Sequence, residues 1–224
     1  TIKIGSGELG NDVFLREVSK VADKVILSTG MHEIIDIANS VEVIREDPST
    51  ELSLLQCTSS YPCPLDSVHL RTMESLKNAF NCEVGFSDHT LGLTASILAA
   101  AMGAKIIEKH FTQDKKLKGP DHMCSLEPNE LKEMITSIRS IPLIMGSNHK
   151  KLQECEKNTK QVATKVIVAS RKININDVFD NDNMVLMRAG LTGLSGKDFG
   201  KILGRKSKYI YQPGDVIKDI DSMH

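Results

Sequence analysis

Five short apolar runs, at 2–4, 24–28, 52–58, 84–86 and 106–110, alternate with amphipathic stretches at 12–21, 33–45, 67–80 and 91–102. A further helical stretch covers 127–141. Short, continuous apolar runs are the pattern of strands buried on both faces of a parallel sheet, and the stretches between them are long enough to be crossover helices. Asn11-Asp12 and residues 125–128 supply helix starts. This repetition defines an α/β fold and leaves two architectures, an open doubly wound sheet or a (βα)8 TIM barrel. Five βα units are too few to close eight strands, so the barrel reading requires that the first three lie outside these 224 residues. The chain opens at Thr1 and enters its first apolar run without an initiator Met, as a trimmed protein or part of a longer one would.

Past Ile141 the pattern changes. Residues 146–160 are polar and read as a linker between a domain at 1–145 and another at 161–224. The second domain predicts strands at 166–169, 173–175 and 182–188, with Gly-rich turns leading to 209–211 and the turn Pro213-Gly214-Asp215. A small, turn-rich β module of this kind suits a binding or interface role better than catalysis.

Two of the apolar runs end in histidine. Ser87-Asp88-His89 and Glu108-Lys109-His110 lie one βα unit apart, so a parallel sheet puts both imidazoles at its C-terminal edge, where α/β folds place their ligand sites. Neutral imidazoles bind divalent metals, and Asp88 and Glu108 could add charge or outer hydrogen bonds. Taken singly, each histidine could equally hydrogen-bond a loop. All five strand ends are polar: Gly5-Ser6-Gly7-Glu8 follows Lys3, Ser28-Thr29-Gly30 ends the second run, and Thr58-Ser59-Ser60-Tyr61-Pro62 follows the third. Hydroxyls, glycines and a lysine on one rim suit an anion, most simply a phosphate. Each glycine alone reads as a tight βα turn, and Ser6, Ser28 and Ser87 each read equally as helix N-caps. Glu8 is a candidate acid or base, and Gly119-Pro120-Asp121-His122 is a rigid turn that could bring Asp121 over the rim.

Composition excludes several classes. Lys+Arg 28 against Asp+Glu 29 gives a net charge of −1, with no electrostatic footprint for nucleic acid or a membrane surface. No apolar run approaches the ~20 residues of a bilayer span. Five scattered cysteines without a CxxC pair read as reduced thiols, which implies a cytoplasmic protein.

The ordered motifs Lys3-Ile4-Gly5-Ser6-Gly7-Glu8, Leu27-Ser28-Thr29-Gly30-Met31, Cys57-Thr58-Ser59-Ser60-Tyr61-Pro62, Gly85-Phe86-Ser87-Asp88-His89-Thr90, Glu108-Lys109-His110-Phe111-Thr112, Gly119-Pro120-Asp121-His122 and Ser125-Leu126-Glu127-Pro128 resemble those of bacterial sialic acid synthases. The tail is similar to the antifreeze-like (SAF) module fused to those enzymes. The resemblance implies a TIM barrel followed by that module in a domain-swapped homodimer. This chain would then hold barrel strands four to eight and lack the family's glutamate on strand one and lysine on strand two. It implies condensation of phosphoenolpyruvate with an N-acylated hexosamine, usually N-acetylmannosamine, with legionaminic and pseudaminic acid precursors as other acceptors. His89 and His110 would hold Mn2+ or Mg2+, and Lys3, Ser6, Ser28 and Ser87 would grip phosphoenolpyruvate. Ser59, where the family often has Asn, would reach less far. Tyr61 and Asp121 would contact the hexosamine, Glu8 would handle a proton, and Arg188 would reach a neighbouring subunit's site. The competing readings are a metal-dependent TIM-barrel hydrolase and an inactive fragment serving as a binding module.

Overall fold

The computed structural model describes residues 1–218. The chain divides into two compact units, Thr1–Gly146 and a second beginning at Ser147.

The first unit is a βα repeat. Its strands are β1 (Ile2–Ile4), β2 (Lys24–Ser28), β3 (Glu51–Cys57), β4 (Glu83–Asp88) and β5 (Ile107–Lys109). The helices are α1 (Asp12–Ser19), α2 (Ile34–Arg45), α3 (Thr72–Phe80), α4 (Thr94–Ala101) and α5 (Pro128–Met145). The strands run in the order β1-β2-β3-β4-β5, every neighbouring pair parallel. All five C-terminal ends therefore share one edge. Helix starts follow from local chemistry: Asn11 Oδ1 accepts from the Phe14 amide at 3.3 Å, and Glu130 Oε2 accepts from the Glu127 amide at 2.8 Å beside Pro128 at the first turn of α5. Between helices and sheet lies a core that includes Leu15, Val25, Leu27, Ile44, Leu54, Leu76, Phe86 and Ala99.

Side-chain contacts show that the sheet is curled. Lys3 on β1 and Glu108 on β5 belong to opposite edge strands, yet their charged atoms are 2.9 Å apart. With neighbouring strands about 4.8 Å apart, a flat sheet would hold those strands roughly 19 Å apart. Only strong curvature brings them within reach, and the result is a trough of half-barrel form. Its inner face is packed closely enough that a Cβ on Gly85 would meet the Ile106 carbonyl oxygen at 2.4 Å.

In the second unit β6 (Val166–Ala169) pairs antiparallel with β7 (Met184–Met187), preceded by α6 (Lys157–Ala163) and followed by the short α7 (Phe199–Ile202). Ile167, Ile173, Phe179, Met184, Ile202 and Ile217 form its core. Two expectations are modified. The polar stretch read as linker contains a helical turn at Glu154–Glu156 and the start of α6, because Glu156 Oε2 caps the Gln153 amide at 2.8 Å. Residues 173–175, expected as a strand, form a single bridge from Ile173 to Tyr211 rather than a ladder. The predicted tail beyond 218 lies outside the described residues. Among the described residues no helix is long and apolar enough to cross a membrane.

One carboxylate organises the start of α7. Asp198 accepts from the Ser195 hydroxyl at 2.9 Å and its amide at 3.1 Å, and pairs with Lys201 at 2.9 Å. Lys201 and then Ser195 hold its pKa down, from 3.8 to about 2. A depressed carboxylate stabilises above its unfolded pKa and loses that contribution as pH falls through the folded one. Amide protection factors across residues 195–202, taken against the intrinsic exchange rate at each pH, should therefore fall between pH 3.8 and about 2. Asp198→Asn should show the lower protection already at neutral pH.

Candidate active site

The C-terminal edge of the sheet forms a recess lined by side chains from every strand or the loop after it. Alternation along the strands decides which residues enter it. Ser87 pairs in register with Cys57 on one side and Glu108 on the other, so these three stand side by side on the inner face. His89 and His110 follow Ser87 and Glu108 by two residues and share that face. Asp88 and Lys109, paired in register, point to the opposite one.

The two imidazole rings lie edge to face with centroids 5.3 Å apart, and Tyr61 packs on both, at 4.2 Å from His89 and 5.6 Å from His110. His89 Nδ1 lies 2.9 Å from the Thr58 carbonyl oxygen. A carbonyl only accepts, so this nitrogen carries the proton and Nε2 keeps its lone pair. His110 Nδ1 faces Asp121 Oδ2 at 3.8 Å. A histidine with one nitrogen engaged by a backbone carbonyl or a carboxylate is the usual arrangement of a metal ligand. The two residues fit a divalent ion.

Cys57 adds a feature the sequence did not single out. Its Sγ is 3.9 Å from His89 Nδ1 and 3.8 Å from Ser59 Oγ. Burial resists ionisation of the thiol, but His89, with Ser87 and Ser6, outweighs it and holds the pKa below the ordinary thiol value. Burial likewise resists charge on His89, and Cys57 with the Thr58 carbonyl overcomes it, raising the imidazole pKa. Tyr61 is raised by burial and then by the Cys57 charge.

On the anion side, Lys3 Nζ pairs with Glu108 Oε1 at 2.9 Å, and Ser87 Oγ donates to Glu108 Oε2 at 2.6 Å. None of the three serines acts as a helix cap. Ser6 Oγ accepts from the Gly30 amide at 2.8 Å and ties the first rim loop to the second, and Ser28 Oγ is buried with no hydrogen-bond partner. An unpaired buried hydroxyl on the wall of a recess is a donor waiting for an acceptor. Gly30 is a close-approach residue rather than a simple turn, since a Cβ there would meet Ser59 Oγ at 2.3 Å and Cys57 Sγ at 3.0 Å.

Lys3, Ser6, Ser28, Ser59, Tyr61, Ser87, His89 and His110 thus come together in one recess. Asp121 joins it through His110. Glu8 is not among the lining residues; its Oε2 accepts from Asn11 Nδ2 at 2.8 Å. Arg188 follows β7 in the second unit. Glu108 also lines the recess. Lys109 and Asp88 form a pair at 3.1 Å with side chains 3% and 0% exposed, and Asp88 also accepts from Ser96 Oγ at 2.6 Å and the Thr90 amide at 2.8 Å. The ion pair thereby locks the residues immediately before the two histidines. Their place in strands that begin as apolar runs, at 84–86 and 106–107, could have marked them, because charges inside a buried strand require a partner.

A parallel βα trough with paired histidines and a hydroxyl-rich rim bearing a lysine is of the α/β class that places its ligand sites at the C-terminal edge of the strands. The NeuB family model matches residues 1–150, and the chain belongs to the NeuB family. It is 39% identical over 219 residues to the N,N'-diacetyllegionaminic acid synthase of Campylobacter jejuni, covering 97% of this chain and 65% of that one. The human N-acetylneuraminate-9-phosphate synthase is 32% identical, over 97% of this chain and 60% of its own length. A crystal structure of N-acetylneuraminic acid synthetase from Leptospira borgpetersenii in complex with citrate superposes with a TM-score of 0.63 at 34% identity, covering 70% of this chain and 55% of that one. The chain thus spans less than two thirds of the length of these curated relatives.

Proposed function

We propose that this chain carries the phosphoenolpyruvate and metal centre of a nonulosonic acid synthase, which condenses phosphoenolpyruvate with N-acetylmannosamine or a related N-acylated hexosamine and releases phosphate. The observation that carries the reading is the convergence of Lys3, Ser28 and Ser87 with His89 and His110 in one recess. It favours the synthase over a barrel hydrolase, which needs no anion grip, and over a module that only binds. The cationic lysine and the unpartnered Ser28 hydroxyl suit the phosphate and carboxylate of phosphoenolpyruvate, with Ser6 and Ser59 shaping the rim.

His89 and His110 would hold Mn2+ or Mg2+, and the bound ion would act as a Lewis acid toward the sugar aldehyde. Lys3 must leave Glu108 to take the substrate anion, and Glu108 is then free to accept a proton. It lines the recess and is better placed for proton handling than Glu8. Tyr61 and Asp121 would position the hexosamine so that C3 of phosphoenolpyruvate bonds to its aldehyde carbon while the aldehyde oxygen gains a proton. Water adds to C2, the C2–O bond breaks, phosphate departs, and the keto group of the product remains. By resemblance, the second unit is an antifreeze-like (SAF) module that brings Arg188 to a neighbouring subunit in a domain-swapped homodimer acting in the cytoplasm.

The test is phosphate release with Mn2+ over a panel of N-acylated hexosamines, using the 224-residue chain and the same chain extended to the length of its relatives. Release should require both phosphoenolpyruvate and a hexosamine. Hydrolysis without phosphoenolpyruvate would refute the synthase.

A further inference from the structure

A second set of metal-binding atoms meets at His110. The loop after β5 returns to the sheet at Leu126, whose amide donates to the His110 carbonyl at 2.8 Å and whose carbonyl accepts from the Thr112 amide at 2.9 Å. This fastens the preceding turn, His122–Cys124, beside His110. Within the turn the Asp121 carbonyl accepts from the Ser125 hydroxyl at 2.7 Å and the Cys124 thiol at 3.2 Å. An imidazole nitrogen of His110, a carboxylate oxygen of Asp121 and Cys124 Sγ consequently lie within 4.8 Å of one another. The imidazole and carboxylate are partly open to solvent, while Cys124 is buried, only 6% exposed.

We propose that His110, Asp121 and Cys124 form a second cation site, selective for a thiophilic divalent ion such as Zn2+, that competes with the His89–His110 pair by claiming His110. The competition rests on the reading of that pair as the metal centre; the second site does not. One nitrogen, one oxygen and one sulfur donor with an open fourth position form a zinc ligand set, whereas Mn2+ and Mg2+ prefer oxygen. Zinc bonds of about 2.0–2.3 Å place ligand atoms roughly 3.3–3.8 Å apart, so the three residues need close by only about an ångström. The thiol gives up its proton to water on binding. Rotation of one buried side chain and one exposed carboxylate supplies the movement without altering the strands. A thiophilic ion at this position would withdraw His110 from His89 and shut the recess to Mn2+.

The probe is Cd2+, whose bond to a thiolate gives an ultraviolet charge-transfer band independent of turnover. One equivalent should bind the intact chain with that band. Cys124→Ser should abolish it, and Asp121→Asn should weaken binding at least tenfold. His89→Ala should leave the band intact, which separates this site from the metal centre itself. Pre-bound Mn2+, followed by electron paramagnetic resonance, should be released at a Zn2+ concentration at least tenfold lower from the unaltered chain than from Cys124→Ser, where Zn2+ can compete only directly at the imidazole pair. No band with the unaltered chain, or a band that survives Cys124→Ser, would overturn the site. Loss of the band in His89→Ala would overturn its independence, and equal Mn2+ release from both chains would overturn the competition.

Discussion

Lys109→Met should destabilise the first unit by about 3–5 kcal/mol, because it leaves the Asp88 carboxylate buried without its counter-charge. Asp88 is fully buried and Lys109 nearly so, so water cannot take the place of the lost ammonium. The bonds Asp88 receives from Ser96 and Thr90 remain, which puts the expected loss at the lower end of that range. Adding Asp88→Asn should recover much of the stability, since an amide has no charge to desolvate. Urea unfolding of the two single variants and the double variant measures the coupling. The same substitutions should weaken Mn2+ binding even where the chain remains folded, because Asp88 and Lys109 fix the backbone from which His89 and His110 project. Full recovery of stability without recovery of Mn2+ affinity would separate the two effects of the pair.

His89→Ala or His110→Ala should each remove tight Mn2+ binding and lower turnover by about a thousandfold. A Lewis acid at a carbonyl supplies several kcal/mol, and each 1.36 kcal/mol is a factor of ten. Paramagnetic resonance reads the bound ion and phosphate release reads turnover in the extended chain. Normal turnover in both variants would refute the assignment. His89→Ala also removes the partner of Cys57, so the thiol should lose its tendency to ionise and react more slowly with an alkylating reagent below its ordinary pKa.

The strand–helix repeat was legible because both its signals are local: apolar runs short enough for buried strands, and helical stretches with caps such as Asn11. The polar strand ends were legible for the same reason, and parallel pairing converts them into one rim. What the rim residues touch was not. Ser6, Ser28 and Ser87 carry the chemistry of N-caps, but the first bonds another loop, the second bonds nothing, and the third serves Glu108 on the next strand. Those outcomes depend on strand register and curvature, which no local pattern encodes. Glu108 appeared in sequence only as extra charge near the histidines, because its partner Lys3 lies at the far end of the repeat. In the second unit, residues 173–175 look like a strand by composition, yet they hold a single bridge, Ile173 to Tyr211, rather than a ladder.

The Lys3–Glu108 pair spans the mouth of the trough from one edge strand to the other. Its distance therefore records two things at once, how far the sheet is rolled and whether the proposed anion subsite is already satisfied internally. An incoming anion that recruits Lys3 must also cut this tie, which makes substrate entry and the width of the mouth a single mechanical coordinate. Under the proposed function, the resting trough is held partly shut by the charge its substrate needs.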